Sequence, residues 1–155
     1  MRDGLASGFV MTNRDLLSLQ AKPNSLVCIG GGVIGLEMAC YFASIGTKVT
    51  VIEMMSKIAG NTDPEICALL MRTYRKQGME FCLNAKVESL TEHSVIYSDA
   101  SGKHEISCDR VLLSAGRRAD VSGLNTEAIG VALERGAVVT DEHMRTNIPG
   151  VWAIG

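Results

Sequence analysis

The sequence predicts an α/β domain of three layers, built on a parallel sheet with a small antiparallel meander beside it. Three observations carry this. Residues 26–53 read strand, glycine turn, helix, strand, the unit that joins two parallel strands through a crossover helix. A second helix follows from residue 63 with signals at both of its ends. Short segments of alternating polarity then fill 80–107, and after them comes a run, 110–115, that is apolar on both faces of a strand.

The 155 residues are 46% hydrophobic and 21% charged, with 15 basic against 17 acidic side chains and a net charge of −2. A chain of this length buries roughly 70% of its unfolded surface, so a core forms without disulfides. Near-neutral charge with no block of one sign leaves no footprint for nucleic acid or an anionic membrane surface, and neither is expected as a partner. The longest apolar run, 26–36, is broken by three glycines and falls short of the ~20 residues that a membrane span needs. The absence of an apolar leader at residue 1 sets the expectation of a cytoplasmic protein. The five cysteines stand at least twelve positions apart and the three histidines are scattered. The cysteines therefore read as small buried hydrophobes, and no metal site is expected.

Element by element, residues 1–25 read as a linker. Turn-prone Asp3-Gly4 and Thr12-Asn13-Arg14-Asp15 precede a short helix candidate at 16–19, and Pro23-Asn24-Ser25 punctuates the end. The strand 26–29, the turn 30–32, the helix 33–44 stopped by Gly46 and the strand 48–53 come next. Asp63 as N-cap, Pro64 at the first helical position and Glu65 in the first turn open the second helix. Ile66, Leu69, Leu70 and Tyr74 form its apolar stripe, and Lys76 and Gly78 close it. Segments 80–83, 85–90, 93–98 and 103–107 read as an antiparallel meander whose last hairpin turns at Asp99-Ala100-Ser101-Gly102. The strand 110–115 suits a central position and stops at Gly116. Beyond it lie a helix candidate at 126–129, an extended 137–140 and an apolar 151–154. One domain accounts for the chain.

The turn Gly30-Gly31-Gly32-Val33-Ile34-Gly35 fits GxGxxG directly after a strand and at the opening of a helix. Gly30 permits the tight turn, Gly32 lets backbone approach a pyrophosphate, and Gly35 lets helix pack closely on strand. The next strand ends in Glu53, 18 positions beyond Gly35. A carboxylate there accepts from both hydroxyls of an adenosine ribose and repels a 2′-phosphate, which favours NAD over NADP. Met54-Met55-Ser56 offer no arginine for such a phosphate, and Lys57 is the one nearby cation. Glu37 is the only charged residue between Gly30 and Thr47. A carboxylate among apolar neighbours needs a partner. From the first turn it meets either the helix dipole or a ligand cleft. The expected class is a Rossmann-like dinucleotide-binding domain.

The segment from Ser25 to Glu37, with its Cys28-Ile29-Gly30-Gly31-Gly32-Val33-Ile34-Gly35-Leu36-Glu37, resembles the NAD-binding domain of the flavoprotein disulfide reductases, closest to their dihydrolipoamide dehydrogenase branch. Ser114-Ala115-Gly116-Arg117-Arg118 is similar to that family's AxGRxPN box, and Thr146 to Gly155 to its second flavin motif, TxxPGxxAxGD. The resemblance implies that Gly30 through Glu37 meet the NAD pyrophosphate and nicotinamide end. Glu37 would lie by the carboxamide, and Val33 and Ile34 near the passage toward the flavin. It further implies that Glu53 holds the ribose, Val87 borders the adenine, and Gly116 approaches the cofactor. Ala119-Asp120 stand where the family has Pro-Asn, and the family's CxxxxC pair, first flavin glycine motif and His-Glu pair do not occur in the sequence.

The expectation is therefore an NAD(H)-binding domain at 26–120. Residues 1–25 would continue from an FAD domain outside this chain, and 121–155 would be a truncated return into it. FAD and interface domains of a homodimeric parent are the expected partners, and the fragment is expected to bind NAD without catalysing. An NADH oxidase or peroxidase, another disulfide reductase, or a free-standing NADH-sensing module are alternative parents.

Overall fold

The computed structural model describes residues 8–154, which fall into two compact units divided after Gly116. The expected Asp3-Gly4 turn, with the rest of Met1 to Ser7, and Gly155 lie outside the described residues.

The first unit is built on five parallel strands in the order β1-β8-β2-β3-β4: β1 (Val10–Met11), β2 (Ser25–Ile29), β3 (Lys48–Ile52), β4 (Glu80–Cys82) and β8 (Arg110–Leu113). Period-2 alternation splits each strand between two cores. Leu26, Cys28, Val49, Val51 and Leu112 pack under the helices with Ala39 and Phe42. Val27, Ile29, Ile52 and Val111 pack with Ala85 and with Val95 and Tyr97 of the antiparallel sheet β5 (Lys86–Leu90), β6 (Ser94–Asp99) and β7 (Gly102–Ser107). Helices, parallel sheet and meander are the three layers. Burial from both sides is why the central strands are apolar on both faces apart from Thr50, whose hydroxyl donates to Glu80, and their first residues Ser25, Lys48 and Arg110.

Helix α2 (Val33–Ser44) buries Gly35, Leu36, Ala39 and Phe42 at helical spacing. Gly46, at φ +86, ends it by placing its own N–H on the Ala43 carbonyl and that of Thr47 on the Phe42 carbonyl, the paired bonds of a left-handed C-terminal cap. Helix α3 (Pro64–Lys76) starts on Asp63, whose Oδ1 accepts from the N–H groups of Glu65 and Ile66, and closes through Gly78 in the same way.

In the first unit several elements depart from expectation. The segment before residue 26, read as a linker, contributes β1 to the sheet edge and helix α1 (Asn13–Leu17) beneath it. There Thr12 and Asp15 form a capping box, so the polar stretch read as a turn is the helix start. Segment 80–82 belongs to the parallel sheet, with Thr50 opposite Glu80, and the meander has three strands rather than four. On α3 the inward face is Cys67, Leu70, Met71 and Tyr74, while Ile66 and Leu69 of the expected stripe are exposed.

In the second unit, residues 117–154, the helix candidate at 126–129 is a series of turns. β9 (Leu133–Glu134) and β10 (Ala137–Val138) form a hairpin whose loop, Arg135-Gly136, has positive φ at both positions, as a type I′ turn requires. Asn147 clasps it by accepting from Ala132 N–H and donating to the Gly130 carbonyl, each at 2.8 Å.

All five cysteines are free, and Cys28, Cys67 and Cys108 are buried. Burial pushes the Cys28 thiol up to about 12, so it is protonated and enclosed in the native chain. Iodoacetamide on the folded protein is expected to alkylate the half-buried Cys40 and Cys82 first and to leave Cys28 unmodified until the chain unfolds, read by peptide mass spectrometry. Early labelling of Cys28 would contradict the packing of β2 between β3 and β8.

Candidate functional site

Strand β2 ends at Ile29 and the chain turns at Gly30 in the left-handed region, φ +106, which favours glycine. A Cβ there would stand 2.5 Å from the Ser114 carbonyl oxygen. A Cβ on Gly35 would overlap the Gly30 carbonyl oxygen and lie 2.7 Å from Ser114 Oγ, so this glycine sets how closely α2 approaches the strands. One on Gly31 would meet Glu53 Cβ at 3.2 Å and Ile58 Cγ2 at 3.3 Å.

Gly32 differs. Its φ of −73 suits any residue, and its Cβ would meet nothing within 4 Å among the described residues. Packing therefore explains Gly30, Gly31 and Gly35 but not Gly32, which borders open space in front of the helix. The first helical bond runs from Leu36 N–H to the Gly32 carbonyl, so the N–H groups preceding it point out of the helix start. There the macrodipole is positive and an anion is favoured.

Glu53 follows β3. Its main chain is locked by bonds to the Cys82 carbonyl and from Ala85 N–H, both at the strand ends. Its carboxylate accepts from Gly31 N–H at 2.6 Å through Oε2 and from Met55 N–H at 2.8 Å through Oε1. An ionised carboxylate has about four lone-pair sites, so two remain for further donors. The loop beyond it is tied to the glycine turn. Ile58 is fully buried against Leu36 and Cys67, and Ala59 N–H donates to the Gly31 carbonyl at 2.8 Å. Lys57 turns inward, its Nζ donating to the Thr62 carbonyl at 2.6 Å.

These pieces converge on one cleft of about 470 Å³ at the carboxyl ends of β2, β3 and β8. Of the residues singled out from sequence, Gly30, Gly32, Glu53, Val87 and Gly116 line it. Gly31 and Gly35 lie buried behind it as packing positions. Val33 at the helix start is 62% exposed, and neither it nor Ile34 lines the cleft. Glu37 is exposed, occupies the second helical turn rather than the first, and is likewise outside the lining, so it needs no partner from this chain. Sequence reading missed Ile29, Ile52, Met54, Ala85, Lys86, Ser114 and Ala115, which complete the walls. For Ile29, Ile52, Met54, Ser114 and Ala115 the signal was positional, since they lie at or just beyond the carboxyl ends of β2, β3 and β8, whereas Ala85 and Lys86 stand at the start of β5. A hollow of about 640 Å³ at the opposite edge, by Asn24, Ser25 and Arg110, sits at the strands' amino ends, where open α/β sheets do not bind their ligands.

Parallel strands, a glycine turn opening a helix and an acidic residue at the next strand end define a Rossmann-like α/β fold. The chain belongs to the pyridine nucleotide-disulphide oxidoreductase family, whose model matches residues 3–155. It is 39% identical over 155 residues to a dihydrolipoyl dehydrogenase of Acholeplasma laidlawii, covering all of this chain and 46% of that protein. It is also 39% identical to the mitochondrial dihydrolipoyl dehydrogenase of Pisum sativum, covering 94% of this chain and 30% of the relative. Among solved structures, the HOCl-induced flavoprotein disulfide reductase RclA from Escherichia coli aligns with a TM-score of 0.80 at 35% identity, over 95% of this chain and 34% of that one. The chain thus spans a third to a half of the relatives it matches.

Proposed function

We propose that this chain is the NAD(H)-binding domain, bounded near residues 26–120, of an FAD-dependent dihydrolipoamide dehydrogenase-like oxidoreductase. The observation that carries the reading is Gly32, a glycine that packing does not require, set at an open helix start in the same cleft as the Glu53 carboxylate. The N–H groups of the helix start would hold the pyrophosphate, Glu53 the adenosine ribose hydroxyls, and Val87 the adenine edge. Gly116, at φ +123, would bring bare backbone to the cofactor from β8. Glu37, Val33 and Ile34, on the exposed first turns of α2, would border the nicotinamide end. The nicotinamide supplies hydride chemistry when bound. The residues of this chain bind and orient it; none is assigned a proton or an electron.

In the parent, FAD and the interface domains would lie in other parts of a homodimeric enzyme, with residues 121–155 returning toward the flavin. Five unpaired cysteines suit a reducing, cytoplasmic setting. No helix among the described residues is long and apolar enough to cross a membrane. The reading favours NAD because Glu53 presents negative charge to the cleft, while Lys57, the nearest cation in sequence, bonds the Thr62 carbonyl and is not among the cleft's lining residues.

Calorimetric titration with NADH and NADPH tests this, with tighter binding of NADH expected. In Glu53→Arg, loss of charge-assisted hydrogen bonds is expected to weaken NADH by roughly ten- to a hundredfold and to strengthen NADPH. Thermal melting checks that the loop has kept its place. An unaltered preference in a folded variant removes Glu53 from the ribose contact.

A further inference from the structure

The peptide unit joining Gly30 to Gly31 is held at both ends. Its N–H, on Gly31, donates to Glu53 Oε2 at 2.6 Å. Its carbonyl, on Gly30, accepts from Ser114 Oγ at 3.1 Å, and the same hydroxyl reaches the Ile29 carbonyl at 3.0 Å. One hydroxyl proton is thus shared between two carbonyls of the turn. Ile29 does not depend on it, because its carbonyl also accepts from Ser114 N–H at 2.9 Å. Gly30 has no such second donor among the hydrogen bonds of the described residues. Both residues flanking this peptide are glycines, so no side chain of their own fixes its plane, which is set by its hydrogen bonds and by close neighbours on Ser114 and Gly35. Ser114 is also the body against which the close approaches of Gly30 and Gly35 are made, and it lines the cleft itself.

We infer that Ser114 is a positioning residue for cofactor choice: by holding the Gly30 carbonyl, it orients the Gly31 N–H that aims the Glu53 carboxylate into the cleft. The assignment rests on the reading of the cleft as a dinucleotide site. Without the hydroxyl, the Gly30 carbonyl loses its donor, the peptide is held less firmly between Ile52 and Ala59, and the bond from Gly31 N–H to Oε2 weakens, so Glu53 is less sharply fixed. The ribose contact loosens while the helix start that faces the pyrophosphate stays in place. Ser114 thereby acts on discrimination, through Glu53, rather than on affinity for dinucleotides in general.

The test is Ser114→Ala in the whole chain, with NADH and NADPH affinities measured by calorimetry beside Gly31 amide hydrogen exchange in the ligand-free protein. Loss of one net hydrogen bond corresponds to about fivefold, so NADH is expected to weaken by about that factor while NADPH stays within about twofold. The preference narrows, and Gly31 exchange speeds up. In a Glu53→Gln background the same change is expected to have a smaller effect, because the two side chains act through one peptide. Equal weakening of both nucleotides marks a general packing role and overturns the assignment, as does an unchanged ratio. Failure of the unaltered chain to bind either nucleotide overturns the cleft reading and the cofactor role with it. Gly31 exchange reports separately on whether Ser114 holds the peptide: acceleration upholds that part and an unchanged rate removes it.

Discussion

Gly32→Val is expected to abolish dinucleotide binding and leave the fold intact. The backbone there has an extended φ of −73 and the new Cβ meets no described atom within 4 Å, so the native chain accommodates it. A helix start capped by valine rather than glycine is weaker by roughly 1 kcal/mol, a small part of a domain's stability. The same side chain fills the space in front of the helix start, where the N–H groups converge. Forcing a ligand past an inserted side chain costs about 1–3 kcal/mol, and losing those N–H contacts adds to it, so NADH affinity should fall by on the order of a hundredfold or more. Calorimetry gives the affinity and urea unfolding gives the stability. Undiminished binding would mean that the space before α2 holds no part of the ligand.

For Gly35→Ala the expected result is the reverse: the fold suffers first. Here the added Cβ overlaps the Gly30 carbonyl oxygen and sits 2.7 Å from Ser114 Oγ, and the first of these is backbone rather than the end of a flexible side chain, so it yields only at a cost. Overpacking of this kind costs typically ~1–3 kcal/mol, and rigid neighbours place it toward the upper end. For a chain of this size that is a fall of roughly 6–12 °C in Tm. Any loss of NADH binding should accompany the loss of structure. A Gly35→Ala chain with unaltered Tm would show that helix α2 does not rest on the strands as closely as described. Two glycines three residues apart in one motif are thus separable, one by function and the other by packing.

The ends of the two long helices were legible locally, whereas the Thr12–Asp15 capping box, equally local, reads as a turn and the candidate at 126–129 is not a helix. Helices α2 and α3 run over the expected residues because their ends are written in a few neighbouring positions: Gly46 and Gly78 at φ near +87, Asp63 and Pro64 at the other end. Strand 80–82 was assigned to the wrong sheet because three residues carry no mark of parallel or antiparallel pairing; its contact with β3 joins positions 30 apart, Thr50 and Glu80. The inward face of α3 was set one step off because Cys67, not Ile66, meets Ile58 from the loop that closes over the glycine turn. Glu37 was expected to need a partner from composition alone, yet the face of α2 that carries it is open to solvent.

The candidate site divides along the same line. Gly30, Gly32 and Glu53 are legible as a motif, since a tight turn, a bare backbone and an acidic strand end recur at fixed spacing. Ser114 and Ala85 come from strand ends far along the chain and reach the turn only because β8 lies beside β2 and the meander folds under the sheet. By itself the sequence determined the two long helices, the central strands, the glycine turn and the family to which the chain belongs, because these depend on short-range backbone preference and on side-chain periodicity. The tertiary structure alone decided which glycine of the motif borders open space and which hydroxyl bonds the turn. It also showed that the Glu53 carboxylate is already aimed by two backbone donors, for those are matters of distance between residues that no local pattern relates.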